Sequence, residues 1–222
     1  LAFDTSTKIL TIACFEEGEV KASFHKDVGI THSELLVPTI DEMLKGLEWG
    51  VKNIDLICMG LGPGSFTGLR IAAAMVKGIT AVTHSKVVGV STMDAIVRNA
   101  PYGEGRFAPF LDAHKGKVYT CVYRKDKNGI KRLTDYLLVK ADEFLAGIET
   151  EVFFFGNGIE KYKSELDSCD LALYNEDIDW YPNAVEIGHI GIKIASERTD
   201  DPKTLEPLYL HSKEANITKH KR

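Results

Sequence analysis

Three short segments carry the residue types that chemistry would need. The first is Asp4-Thr5-Ser6-Thr7, directly after an apolar run at residues 1–3. Hydroxyls and amides at such a turn can hold a phosphate, with Asp4 on a magnesium-bound water. The competing reading is a turn in which Asp4 and Ser6 bond nearby backbone, and it is favoured. The second segment is GPGSFTG at residues 62–68, between an apolar run (IDLICMGL, 54–61) and a helix-like stretch at 69–82. Glycines permit close backbone approach, and amides at a helix start can hold an anion. A P-loop, however, requires GxxxxGK[ST], and no lysine is present here. A dinucleotide fingerprint requires GxGxxG and an acid about 20 residues on. Gly62, Gly64 and Gly68 instead give GxGxxxG, with no acid near His84 and Ser85. We expect a tight strand-to-helix turn that packs closely or presents its helix to a partner. Arg70, at the start of that helix, is badly placed for the helix dipole and points to a carboxylate or an interface. The third segment pairs Asp112, a possible catalytic acid, with Gly156-Asn157-Gly158, a possible second phosphate loop. Read locally, these are a turn cap and a strand-end turn, and that reading is again favoured.

Other chemistries lack their residues. No two of the seven histidines are four apart, so HExxH and HxxxH are both missing. Ser65 lacks the flanking glycine of a GxSxG elbow. Cys14, Cys58 and Cys121 sit in strand-like apolar runs and read as small buried hydrophobes; no CxxC occurs. We expect no metal site and no peptidase. The net charge is −5. Gripping nucleic acid alone usually takes a basic surface, so any RNA contact needs a local basic patch or a partner. The tail Lys219-His220-Lys221-Arg222 is basic and reads as solvated, with a weak RNA contact left open. No run reaches the ~18 residues of a membrane span, and no signal peptide is visible. The expectation is a cytoplasmic protein, opening inside a strand with a few residues ahead of Leu1.

The elements that would position these segments alternate along the chain. Strand-like runs at residues 1–3, 9–15 and 20–25 make an opening meander. Thr31-His32-Ser33-Glu34 has the capping-box pattern, and Leu36, Ile40, Met43, Leu44 and Leu47 share the helical face behind it. Pro38 predicts a kink or a late start. A strand at 54–61, a helix at 69–82, a short strand at 87–90 and a helix from 91 follow. PYGEG (101–105) marks the boundary between lobes at 1–103 and 104–222, the last segment of the second packing back on the first. Beyond it come strands at 107–111, 117–123 and 131–139, a helix at 142–146, strands at 152–155 and 171–174, and a helix at 185–198. The theme repeats, which predicts an α/β protein of two related RNase H-like lobes.

Several segments, in order, resemble the TsaB (YeaZ) family. They are LAFDTST (1–7), HSELLVPTI (32–40), GPGSFTGLRI (62–71), the helix containing Lys77-Gly78, VGVSTMDA (88–95), LDAHKGKVY (111–119) and LEPLYL (205–210). The resemblance implies the actin-like (ASKHA) superfamily and a non-catalytic accessory subunit. It implies a TsaD-type catalytic partner, a TsaE-type ATPase in the same assembly, and transfer of threonylcarbamoyl to the tRNA adenosine next to the anticodon. Alone, such a chain would be a homodimer, and it would meet tRNA through the complex. The pairing surface implied is the two helices carrying His32, Leu35, Leu36, Ile40, Phe66, Thr67, Leu69, Arg70, Ala73 and Met75. It would bury about 800 Å² per partner. A charge at Leu36 or Ala73 would then break pairing with the monomer still folded. No cofactor is expected beyond weak ATP or ADP at a vestigial hairpin of Asp4, Thr5 and Ser6. The alternative is an ATPase or small-molecule kinase of the same fold with its own nucleotide site.

Overall fold

The computed structural model describes residues 1–101, 103–175, 178 and 180–210; the tail at 219–222 lies outside them. The chain forms two compact units. The first is Leu1–Ala95 with Pro182–Leu208, and the second is built on Ile96–Tyr181. The first unit therefore ends ahead of the PYGEG segment and takes in a later piece of chain.

In the first unit, β1 (Ala2–Asp4), β2 (Ile9–Glu16), β3 (Glu19–Asp27), β4 (Leu56–Gly60) and β5 (Lys86–Val90) form one sheet in the order β3-β2-β1-β4-β5. β1, β2 and β3 are antiparallel neighbours, while β1, β4 and β5 run parallel. Side chains alternate between the two faces. Phe3, Leu10, Ile12, Ile57 and Met59 meet α1 (His32–Gly46) and α2 (Phe66–Val82) on one face. Ala2, Ala13, Cys58 and Val88 meet α7 (Ala184–Ala195) on the other. Covered on both faces, β4 reads as a continuous apolar run. Burial also pushes the Cys58 thiol up to about 11.

Three local expectations are corrected. The capping box at Thr31 does not form. Thr31 sits at φ −89°, ψ 20°, not the extended conformation a cap needs, and its Oγ1 donates back to the Val28 carbonyl at 2.8 Å. The helix neither starts late nor breaks at Pro38, but runs on from His32 through it. The second helix starts at Phe66, ahead of the expected Leu69, because Ser65 Oγ caps it by accepting from Gly68 N at 3.2 Å.

The second unit repeats the plan. After α3 (Thr92–Ile96), which closes the first stretch of the first unit, come β6 (Gly105–Asp112), β7 (Lys117–Thr120), β8 (Tyr123–Asp126), β9 (Gly129–Arg132), β10 (Leu137–Lys140), α4 (Ala141–Ala146), β11 (Val152–Phe155), α5 (Gly158–Lys161), α6 (Lys163–Asp167) and β12 (Ala172–Tyr174). The order is β10-β7-β6-β11-β12, antiparallel through β6 and parallel beyond it, with β8 on the first half of β6 and β9 on β8. The single strand expected at 131–139 is two strands with different partners. Both units share the RNase H-like strand order. Phe110, Phe154 and Tyr162 centre this core, with Phe110 and Phe154 packed edge to face at 5.2 Å.

Candidate functional site

The β1–β2 turn and the GPGSFTG loop form one buried polar knot at the carboxyl end of the first unit's parallel strands. Asp4 and Thr5 expose no surface and Ser6 only 3%. Asp4 Oδ1 accepts Ser6 N at 2.7 Å, and Oδ2 accepts the Thr92 hydroxyl at 2.5 Å. Thr92 Oγ1 in turn accepts Gly62 N at 3.0 Å, and Thr92 N donates to Gly62 O at 2.9 Å. Thr5 Oγ1 donates to Gly68 O and Ser65 N to Ser6 O, both at 2.7 Å. The glycines exist for this contact. A Cβ would lie 2.3 Å from Ser6 O at Gly64, 2.0 Å from Thr5 O at Gly68 and 1.9 Å from Asp4 Oδ2 at Gly60. Burial pushes the Asp4 carboxyl above its ordinary range, against the hydrogen bonds from Ser6 and Thr92. Asp4, Thr5 and Ser6 thus come together, and their bonds run to this unit's own loops. Sequence reasoning missed Thr92, the hydroxyl that ties the two loops; its place in VGVST was the available signal.

The residues expected at the pairing surface divide by burial. Leu36, Ile40, Leu69 and His32 are buried, the first two in the packing of helices on sheet. The expectation that Leu36 tolerates a charge with the monomer intact is therefore corrected: it exposes none of its surface. Ala73 and Met75 are half-buried; Leu35, Phe66, Thr67 and Arg70 are exposed. Arg70 finds an aromatic rather than a carboxylate, stacking 3.8 Å over the Phe66 ring. Between α1 and α2 lies an apolar groove of about 450 Å³, lined by Val37, Ile71, Ala74, Met75, Gly78 and Val82 among others. Val37 and Val82 expose 55% and 64% of their surface. Their solvent-side position on otherwise amphipathic helices was the signal for them.

In the second unit Asp112 ends β6. Its carboxylate receives Lys161 Nζ at 2.9 and 2.8 Å, Tyr162 OH at 3.0 Å and His114 N at 2.9 Å. Partial burial pushes its pKa up, but these donors outweigh it and hold the group below the usual carboxylate range. A carboxylate held low is a poor general base. Asn157 Oδ1 accepts Asp112 N at 3.0 Å, and a Cβ at Gly156 or Gly158 would strike the Phe110 carbonyl at 2.7 or 2.6 Å. These glycines let the loop lie on β6. Among the described residues no group of three His, Cys, Asp or Glu side chains could hold a metal ion, and no helix is long and apolar enough to cross a membrane.

Known proteins share this plan. The family model described as TsaD, tRNA N6-adenosine threonylcarbamoyltransferase, matches residues 24–217. The tRNA threonylcarbamoyladenosine biosynthesis protein TsaB of Bacillus subtilis is 29% identical over 75% of this chain and 74% of its own. The Escherichia coli TsaB is 32% identical over 59% of this chain and 57% of its own, and the Haemophilus influenzae TsaB is 25% identical over 96% and 93%. YeaZ from Pseudomonas aeruginosa superposes with a TM-score of 0.78 at 25% identity, covering 94% of this chain and 98% of that one. The chain belongs to the TsaB (YeaZ) family, among the TsaD-like proteins of tRNA threonylcarbamoyladenosine biosynthesis.

Proposed function

We propose that this chain is the accessory, non-catalytic subunit of a cytoplasmic tRNA-modifying assembly and acts by docking a TsaD-type catalytic partner on its α1–α2 face. The observation that carries the reading is the groove between those helices. Apolar side chains that the core does not use flank it, and Gly78 leaves open space beside the helix backbone. An exposed apolar face of this kind marks an interaction site. The exposed Phe66–Arg70 stack in the first turn of α2 supplies the aromatic and arginine anchors common at interfaces. In the absence of the partner, the same face pairs two copies. A TsaE-type ATPase joins the assembly, and tRNA meets the chain there. The inward commitment of Asp4, Thr5 and Ser6 supports a structural use of that hairpin over a nucleotide site.

The test is light scattering of the chain alone and mixed with its TsaD-type partner, with threonylcarbamoylation of tRNA assayed in parallel. We expect a homodimer that gives way to a heterocomplex, and modification only with both proteins. Val37→Glu with Phe66→Glu should abolish both complexes while leaving the melting temperature within a few degrees. ATP turnover by the chain alone, without any heterocomplex, would replace this reading with the kinase-like one.

A further inference from the structure

The second unit carries a charge pattern that folding does not explain. Between Tyr123 and Arg132 five of ten residues are basic and one is acidic, in a chain of net charge −5. These residues form the β8–β9 hairpin, joined to the start of β6. The register sets Arg106 of β6 directly opposite Arg124 of β8, and Arg124 directly opposite Lys131 of β9. Opposed residues project from the same face of a sheet about 5 Å apart. All three are exposed. Like charges placed directly opposite destabilise a strand pair, and here two such pairs run in series. Asp126 answers only at the end of the row, 3.4 Å from Arg124 Nε. The same face continues past Val122 and Leu133 into a mostly apolar cavity of about 470 Å³, lined also by Arg106 and Phe144 and, at two points, by the acidic residues Glu143 and Glu149. A cationic row beside an apolar recess is what a polynucleotide strand uses, phosphates on the row and a base against the recess.

We propose that the Arg106–Arg124–Lys131 row is a contact surface for the phosphate backbone of RNA, brought to bear on tRNA within the assembly. This rests on the function proposed above, but it uses a surface in the other unit. It also supplies the local basic patch that an acidic chain needs if it is to touch RNA itself.

The test is binding of a tRNA transcript to the full chain, alone and with its TsaD-type partner, across a range of low salt. The double variant R124Q/K131Q should weaken binding roughly tenfold. It should lower the slope of log affinity against log salt by about 1.4–1.8, since each phosphate contact contributes about 0.7–0.9. Its melting temperature should not fall, because like-charge neighbours are removed, and the mass of the heterocomplex should not change. K131E is a second variant that cannot fail through misfolding, because it turns the repulsion with Arg124 into an attraction; it should weaken tRNA binding further. Unchanged affinity and slope in both variants would overturn the proposal. Polyglutamate binding the wild-type chain as tightly as tRNA does would also overturn it, in favour of an acidic protein partner. Because the hairpin is measured on the chain alone, a missing heterocomplex would count against the proposed function and leave this result standing.

Discussion

Asp4 is a carboxylate with no exposed surface, held by one hydroxyl and one amide. Its folded pKa is raised mainly by burial. The sign follows: its contribution to stability is complete below the unfolded value of about 3.9 and fades as pH rises through the folded value. Thermal melts of the wild type should therefore lose stability as pH climbs above the ordinary carboxylate range. Asp4→Asn should flatten that slope and match or exceed the wild type near neutrality. Gly68 makes a sharper point. Its missing Cβ would sit 2.0 Å from a backbone oxygen that cannot move aside. Gly68→Ala should cost about 1–3 kcal/mol in denaturant unfolding, although Gly-to-Ala in a helix ordinarily helps. The residue types of this knot were legible in the sequence. That their bonds close on each other was not, because the partners lie up to 88 positions apart.

At the scale of elements, α1 shows what periodicity can and cannot assign. The spacing of Leu36, Ile40 and Leu44 identifies a helical face, and that face packs on the sheet. The same spacing cannot say which face meets a partner, so core residues and docking residues were grouped together. Leu36→Asp and Val37→Glu, neighbours in sequence, should separate cleanly. The first should lower stability by several kcal/mol by burying an unpaired charge. The second should leave circular dichroism and melting unchanged while the oligomer dissociates. The split of 131–139 into β9 and β10 was likewise invisible. Leu133 N still reaches Val122 O at 2.8 Å, but Thr134 Oγ1 takes the Val122 amide, and the strand beyond then pairs with β7. Which strand a segment pairs with is a non-local outcome that local composition does not record.

At the scale of the whole molecule, the helix expected at 185–198 forms as α7, and the expectation that the last segment returns to the first lobe fits its place there; which sheet face it covers is not written in its own sequence. α7 follows the Ile96–Tyr181 stretch of the second unit in sequence but covers the first unit's sheet, over Ala2, Ala13, Cys58, Val88 and Val90. Ala184 N even donates to Thr11 Oγ1 across 173 positions, at 2.9 Å. Cutting the chain at the PYGEG segment should therefore not release a folded lobe. Residues 1–103 expressed alone should bind a hydrophobic dye and lack a cooperative melt. The same fragment supplied with residues 182–208 should recover both a cooperative melt and low dye binding.

The return of α7 also sets an order on biosynthesis. A ribosome releases the five strands of the first sheet first, but the helix that shields one side of that sheet emerges only after residues 96–181 have been made. For most of that time the nascent chain holds an open apolar sheet face while a second sheet is being assembled. Chaperone engagement during this interval, and its sensitivity to translation speed, follow from the topology alone.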